Sequence, residues 1–142
     1  MRIRQATLAD LSKIMEIAQQ FFLDIPDFNW HTEEVITGMI QMNRYFVAEH
    51  EREIIAILSL NVRPRDVDIK TIAVRKECQR SGVGKKLIRF AKKFAVRHKR
   101  ITLSVGAFYE YNNLDFYKKA GFRRVRPGTF NGHKYHNMWM RI

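Results

Sequence analysis

Apolar and polar positions along the chain follow two periods, one typical of helices and one typical of strands. Spacings of three and four residues predict helices over 8–22, 33–41, 84–97 and 112–120. Alternating or β-branched runs predict strands over 3–5, 45–49, 54–61, 67–74, 101–105, 122–125 and 137–142. The resulting order, β-α-α-β-β-β-α-β-α-β-β, is typical of an α/β or α+β layer fold around one sheet.

The ends of several elements carry their own signals. Thr7 and Thr32 are placed to cap the first two helices, because a side-chain oxygen can accept from a free amide of the first turn. Asn112 is placed to cap the last helix and Gly121 to end it. The polar run 50–53 separates two β-rich stretches, which predicts a hairpin.

Two further expectations concern the strands that follow. Strict alternation along 67–74 places Val67, Ile69, Thr71 and Ala73 on one face and the other four residues on the opposite face. Segment 126–136 contains Pro127, Gly128 and Gly132 and is expected to be a loop between the last two strands.

Composition indicates an ordinary globular domain spanning 1–142. The 142 residues are 46% hydrophobic, and a chain of this length can bury a core without a disulfide or metal. The single cysteine, Cys78, cannot form an internal disulfide. The longest strongly apolar run, 54–58, is far shorter than the roughly 20 residues that span a bilayer. With no apolar stretch at the N-terminus, the expected location is cytoplasmic.

Charge divides the chain into two unlike halves. Residues 1–70 hold 8 basic and 11 acidic side chains, a net charge of −3, whereas residues 71–142 hold 18 and 3, a net charge of +15. The basic half is therefore expected to face an anionic partner, for which nucleic acid, an acidic membrane surface and a phosphorylated cofactor are all candidates. A solvated cationic helix face that aids solubility is the plainer interpretation.

The segment 74–85, VRKECQRSGVGK, joins a predicted strand to a predicted helix. The first amides of a helix have no partner within it and carry partial positive charge, while glycine lets a phosphate approach the backbone. The segment lacks the first glycine and the hydroxyl residue of a P-loop, and Leu87 stands at the third glycine of a dinucleotide fingerprint. It therefore predicts a phosphate loop of another kind.

That loop fits the pattern Q/R-x-x-G-x-G/A, with Gln79, Gly82 and Gly84 at the defining positions. Around it stand "IRQATLADLSKIMEI", "RYFVAEHEREIIAILSL", "TIAVRKECQRSGVGKKLI" and "LDFYKKAGF", in that order. Over nearly its whole length the chain thus resembles the GNAT superfamily of N-acetyltransferases. The resemblance implies a mixed, mostly antiparallel central sheet of about six or seven strands, with helices on both faces and splayed central strands.

The cofactor implied by the resemblance is acetyl-coenzyme A, as a co-substrate, with no metal. The backbone of residues 72–74 would pair with the pantetheine arm, and the amides of 80–85 would contact the pyrophosphate. The last helix would add further contacts. The implied cofactor-binding residues are Ile72, Ala73, Val74, Gln79, Arg80, Ser81, Gly82, Val83, Gly84, Lys85, Asn113 and Phe116. Arg75 and Lys76 are close enough in sequence to assist. Family members usually carry Asn where this chain has Glu110, and Asn113 is placed to replace it.

The implied reaction is direct attack of a primary amine on the thioester. Tyr117 matches the tyrosine that protonates the departing thiolate or donates a hydrogen bond to it; the alternative is a core tyrosine. An amide of Ala73 or Val74 would stabilise the oxyanion. Asp68 is the implied catalytic base, acting through a water, with pairing to Lys70 or Arg65 as an equal alternative.

His31 and Glu33 are weaker candidates for the base, since segment 24–43 corresponds to the family's acceptor-facing helices. No motif in the sequence identifies the acceptor. The expected assembly is a monomer or a homodimer. Cys78 lacks a histidine partner in sequence, which disfavours a nucleophile, and His133 with His136 lacks a third metal ligand. An aromatic and basic tail leaves action on or binding of nucleic acid as an alternative function: Arg123, Arg124, Arg126, Phe130, His133, Lys134, Tyr135 and Trp139.

Overall fold

Seven strands and four α-helices make up the computed structural model, which describes residues 1–142 apart from the side chain of Arg124. The strands are β1 Arg2–Gln5, β2 Tyr45–His50, β3 Glu53–Val62, β4 Val67–Val74, β5 Thr102–Phe108, β6 Arg124–Phe130 and β7 His133–Arg141. The helices are α1 Leu11–Gln19, α2 Glu33–Gln41, α3 Val83–Arg97 and α4 Leu114–Ala120. Short 3-10 helices lie at Leu8–Asp10, Lys76–Cys78 and Tyr109–Tyr111.

All seven strands form one sheet in the order β1-β2-β3-β4-β5-β7-β6. Every neighbouring pair is antiparallel except β4 and β5, which are parallel. The connection between these two strands runs through α3, as parallel neighbours require a crossover. The expected mixed, mostly antiparallel sheet of six or seven strands is confirmed.

Helices cover both faces of the sheet, as expected. On one face the apolar stripe of α3, including Leu87, Ile88 and Ala91, packs with Tyr117 of α4 against the middle strands. On the other face, apolar residues of α1 and α2 such as Ile14 and Ile36 pack against β2 and β3. The sheet is therefore buried on both sides and holds its strand ends in fixed positions.

Helix ends differ from the sequence expectation at two places. The first predicted helix, 8–22, begins as a 3-10 turn, and its α-helical part ends at Gln19. After Gln19 the chain continues with bonds between residues three apart, such as that from the Phe21 amide to the Ala18 carbonyl. Asn112 does not cap α4. It adopts a left-handed conformation with φ 50°, and the helix begins at Leu114 instead. Asn tolerates that conformation, which reverses the chain before the helix.

The predicted loop 126–136 is instead most of a β-hairpin. β6 and β7 pair from Arg124 to Phe130, and the turn is confined to Asn131 and Gly132, with φ 47° and 84°. Positive φ at both positions suits a two-residue hairpin turn. Pro127 is compatible with pairing because β6 is the edge strand.

A β-bulge interrupts the alternation of β4. Ser59 pairs with Thr71 and Leu60 pairs with Ile69, so Lys70 is an extra residue without a partner on β3. The expected grouping of Val67, Ile69, Thr71 and Ala73 on one face is therefore wrong. Val67 and Ile69 share the α3-side core with Ile72 and Val74, whereas Ala73 belongs to the opposite core.

Candidate active site

β4 and β5 separate after a short paired region, and the gap between them is the candidate site. Their pairing covers Val67 to Ile69 on β4 and Leu103 to Val105 on β5. Beyond it, a cleft of about 870 Å³ is lined by Ile69–Val74, by 105–108, by the start of α3 and by α4. The splayed central strands are thus present in the structure.

The register of β3 and β4 shows which main-chain groups face the cleft. The Arg75 amide donates to the Ile55 carbonyl at 2.9 Å. Because an antiparallel pair alternates between bonded and non-bonded residues, Ala73 points toward Ile57 of β3, and Ile72 and Val74 point away from it. The amides available to the cleft are those of Ile72 and Val74. The Ala73 amide is directed toward the neighbouring strand.

The loop before α3 adopts a shape that only a few residue types favour. Arg80 and Gly82 have φ of 65° and 83°, and Gly82 directly precedes the first turn of α3. The Ser81 hydroxyl donates to the Cys78 carbonyl at 2.6 Å, and the Gln79 amide group donates to the Val74 carbonyl at 3.2 Å. These bonds fix the loop against β4, with the free amides of the helix start at the cleft.

Basic side chains near the loop divide into two groups. Arg80 and Lys85 line the cleft, and no ion pair joins either of them to another residue that the structure describes. Arg75 instead donates to the Ile54 carbonyl at 2.8 Å and to Glu16 at 3.0 Å, and the Lys76 ammonium lies over Phe21. The expectation that Arg75 and Lys76 assist in phosphate binding is not supported by their positions.

α4 contributes Asn113 and Phe116 to the cleft, as expected. The Asn113 side-chain oxygen is buried and has no hydrogen-bond partner. Phe116 lies against Gly84, where an added Cβ would come within 2.9 Å of its ring, so this glycine permits the close approach of α3 and α4. Glu110 lies elsewhere: it pairs with His133 at 2.7 Å, and this hydrogen bond lowers the pKa of the Glu110 carboxyl.

Tyr117 is 3% exposed and lines the cleft between β4, β5 and α4. Its ring makes edge contacts with Phe116 and Phe122. Burial raises the pKa of the Tyr117 hydroxyl, with a smaller contribution from Tyr111, so the group is a weak acid and a persistent hydrogen-bond donor.

Asp68 lies in a polar cluster at the point where β4 and β5 still pair. It accepts a 2.8 Å hydrogen bond from Ser104, and its carboxylate lies 3.5 Å from the Lys70 ammonium and 3.8 Å from the Arg63 guanidinium. The alternative pairing with Lys70 is therefore observed, with Arg63 in place of Arg65. Of the two expected catalytic residues and the twelve expected cofactor-binding residues, Asp68 and Ser81 do not line the cleft.

This cluster is expected to hold the two strands together at the root of the cleft. Asp68→Asn keeps the shape of the side chain but removes its charge from Lys70 and Arg63. The free energy of unfolding should fall by about 1–2 kcal/mol, as measured by denaturant titration. Ser104→Ala should cost a similar amount, and the double variant should cost less than the two single losses combined. Unchanged stability in Asp68→Asn would contradict this role.

The far end of the cleft is lined by aromatic side chains that the sequence did not single out. Phe28 and Trp30, from the segment between α1 and α2, lie beside Phe108, the last residue of β5, which also packs against Tyr111 of the following 3-10 helix. His31, one of the weaker candidates, lines the same end, and Glu33 does not. The aromatic density of 21–31, FFLDIPDFNWH, was the available signal.

Other candidate chemistry is limited among the described residues. Cys78 is a free, half-buried cysteine that lines the cleft. No group of three or more described His, Cys, Asp or Glu side chains is arranged to hold a metal ion. None of the described helices combines the length and hydropathy needed to cross a membrane.

Solved structures similar to this chain include N-acetyltransferases with different names and low sequence identity to it. PaiA N-acetyltransferase from Thermoplasma acidophilum, in complex with coenzyme A, is 18% identical, with 99% of this chain and 98% of that chain covered and a TM-score of 0.81. Ribosomal-protein-alanine N-acetyltransferase from Brucella melitensis is 19% identical, with full coverage of both chains and a TM-score of 0.77. An aminoglycoside 6'-N-acetyltransferase complexed with coenzyme A is 15% identical, with 99% and 97% covered and a TM-score of 0.78.

These similarities establish the fold. No curated protein matches the chain in sequence. A protein-family model described as an acetyltransferase (GNAT) domain matches residues 41–124, a region that contains β2 to β5, the phosphate loop, α3 and α4. Because this match covers more than half of the chain, the protein belongs to the GNAT acetyltransferase family.

Proposed function

We propose that this protein is an N-acetyltransferase that takes acetyl-coenzyme A as co-substrate and transfers the acetyl group to a primary amine. The observation that carries the proposal is the splayed pair β4–β5, whose gap is edged by the amides of Ile72 and Val74 and closed by the start of α3. Such a cleft suits a long flexible arm along the strand and an anionic group at the helix end. One domain spanning 1–142 would hold the whole site.

Several features of the cleft fit coenzyme A. The unpartnered oxygen of Asn113 needs a donor, which an amide of the pantetheine arm would supply. A Cβ built on Gly82 meets nothing within 4 Å, so the space in front of the loop is open to a diphosphate. Arg80 and Lys85 add positive charge there. The residues proposed to hold the cofactor are Ile72, Ala73, Val74, Gln79, Arg80, Ser81, Gly82, Val83, Gly84, Lys85, Asn113 and Phe116.

In the proposed reaction the thioester supplies an activated acetyl group, and residues of the chain stabilise the charges that form. The Val74 amide, turned toward the cleft, is the proposed donor to the carbonyl oxygen as it becomes negative. Tyr117 is the proposed donor to the departing sulfur. Because burial raises the pKa of Tyr117 above that of a thiol, proton transfer to the sulfur is unfavourable and a hydrogen bond is the favoured contribution.

Removal of a proton from the acceptor amine is the remaining task. At pH 7 this costs about 4–5 kcal/mol for a lysine-like amine but only about 1 kcal/mol for an α-amine. A general base therefore matters most for strongly basic acceptors. Asp68 remains a candidate only through a chain of water molecules, because its carboxylate is bound by Ser104 and Lys70 outside the cleft lining.

The nucleic acid alternative has no support from the comparisons. In the structure Phe130 packs against Trp30 and Phe108, Tyr135 packs against Phe108, and Arg126 lies over Trp139. These aromatic side chains are therefore engaged with the protein and are not displayed as a stacking surface. The proposed assembly is a monomer or a homodimer.

The proposal is tested by two measurements on the full chain. Isothermal calorimetry should show one coenzyme A site per chain, and a thiol-release assay should show amine-dependent release of coenzyme A from acetyl-coenzyme A. Absence of binding would overturn the cofactor assignment. Binding without thiol release across alkylamines, amino acid amides, peptides and aminoacyl-RNA would overturn the activity and leave a binding protein.

A further inference from the structure

The cleft continues past the proposed cofactor site into an end walled by flat apolar rings. Phe28, Trp30, Phe108 and Tyr111, here called the aromatic wall, all line the same cleft as the phosphate loop. Phe28 and Trp30 lie 4.9 Å apart between ring centroids, and Phe108 lies 6.3 Å and 6.1 Å from them. These separations are typical of aromatic pairs that pack edge to face.

The segment that carries Phe28 and Trp30 is tied to the rest of the fold on two sides. The Tyr111 hydroxyl donates to the Phe21 carbonyl at 2.6 Å, and Asn131, in the β6–β7 turn, donates to the Pro26 carbonyl at 2.6 Å. Phe130 also packs on Trp30 at 5.6 Å. The aromatic wall is therefore formed before a ligand arrives, which reduces the entropy cost of binding.

His31 lies at this wall, and no hydrogen bond joins its imidazole to another described residue. Its ring lies 4.6 Å from Phe22 and 5.7 Å from Phe28. Nδ1 is buried without a hydrogen-bond partner. Nε2 is not among the occluded nitrogens, and no hydrogen bond joins it to a described residue, so it is the accessible nitrogen of a residue that lines the cleft.

Charged side chains distinguish the two ends of the cleft. Among the described lining residues, the charged ones are Lys70, Arg80, Lys85, Asp115 and Lys119. Asp115, the single acid of this set, is in the first turn of α4. No carboxylate beside the aromatic wall lines the cleft: Asp27 accepts a hydrogen bond from Asn131, and Glu110 pairs with His133. Binding at this end of the cleft therefore depends mainly on the apolar surface of the acceptor.

We infer that the aromatic wall and His31 form the acceptor subsite, which takes a primary amine carried on an aromatic or similarly flat apolar group. This inference rests on the proposed function, since it names the second substrate of the same cleft. Nε2 of His31 accepts the proton that the amine gives up before it attacks. The neutral nitrogen forms the new C–N bond and releases its second proton to water, and the C–S bond breaks with its electron pair on sulfur. The thiolate, which accepts a hydrogen bond from Tyr117, takes up one proton from water, so the protons balance.

The first test compares 2-phenylethylamine with propylamine, which have similar amino groups but differ in the ring. Wild-type kcat/KM should favour 2-phenylethylamine by at least ~10-fold. Trp30→Ala should reduce this preference to less than ~3-fold, whereas Trp30→Phe should retain it, and coenzyme A affinity should stay unchanged in both. Equal rates on the two amines in the wild type, or a preference that persists in Trp30→Ala, would overturn the subsite.

The second test compares 2-phenylethylamine with phenylalanine amide, which carries the same ring but a much less basic amine. His31→Gln should lower kcat/KM about 100-fold on the first and less than ~10-fold on the second. Equal losses on both amines would overturn the assignment of His31 as the base. Coenzyme A binding with turnover of other amines only would refute the subsite and leave the proposed function standing, whereas loss of binding in the wild type would refute both.

Discussion

Gly82→Asp should lose several hundred-fold in coenzyme A affinity, while the chain remains folded. Gly82 adopts φ 83° immediately before α3, and its Cβ direction is open for at least 4 Å. A carboxylate at this point would lie where the diphosphate is proposed to bind. Repulsion in this partly hydrated loop, together with weakened amide contacts, is worth about 3–4 kcal/mol, and each 1.4 kcal/mol is tenfold in affinity.

Gly82→Asn is the matched control, because Asn and Asp have nearly the same shape and both tolerate the left-handed region. Any loss of coenzyme A affinity that is due to backbone strain or bulk is common to the two variants. The ratio of their affinities therefore reports the effect of the charge. Calorimetry with coenzyme A should show a loss of less than ~10-fold for Gly82→Asn. If the two variants bind coenzyme A equally well, the diphosphate does not approach residue 82 and the loop assignment is wrong.

The sequence predicts the fold well because local pattern and global arrangement agree over most of the chain. α2 matches the expected 33–41, with the Thr32 hydroxyl accepting from the Val35 amide at 3.4 Å. Gly121 ends α4 with φ 111°, as a C-cap glycine should. The last two predicted strands are shorter than β6 and β7 because Pro127 and Gly128 are typical of loops. Pro127 fits in a strand because β6 is at the edge of the sheet, and Gly128 fits because the Tyr135 ring occupies the space that a side chain would take.

The site is predicted less completely, because part of it depends on pairing between strands. The bulge at Lys70 reverses the faces of β4 beyond it, and no local signal in 67–74 marks the extra residue. The resemblance to the family points to Asp68 by its position on the strand before Val74, yet a cross-strand contact with Ser104 holds it at the paired root of the cleft. The predicted phosphate loop can be read from the sequence because it is local and its chemistry is carried by consecutive residues.

The aromatic wall could not be predicted, because it is assembled from distant segments. Phe28 and Trp30 meet Phe108 only through the packing of the α1–α2 segment on the end of β5 and on the β6–β7 turn. A hydrophobic pattern identifies such residues as apolar but does not say which of them share a surface. The predicted phosphate loop needs only consecutive residues, whereas the aromatic wall needs tertiary packing, so the sequence predicts the first and not the second.

Tyr117→Phe should lower kcat by about 100- to 1000-fold while leaving the KM for acetyl-coenzyme A within ~3-fold of wild type. The change deletes one hydroxyl from a ring that is 3% exposed and leaves its contacts with Phe116 and Phe122 in place. No hydrogen bond joins that hydroxyl to another described residue, so stability should not fall. The loss should therefore appear in turnover alone, in a thiol-release assay with saturating amine.

Tyr45→Phe provides the matched control for this measurement. Tyr45 is also buried, its hydroxyl also lacks a partner, and burial raises its pKa in the same way, yet it belongs to the opposite core and does not line the cleft. Removing its hydroxyl should leave kcat unchanged. The two variants should differ in kcat only if the Tyr117 hydroxyl faces the departing sulfur. Equal kcat values for Tyr117→Phe and Tyr45→Phe would therefore identify Tyr117 as a core tyrosine.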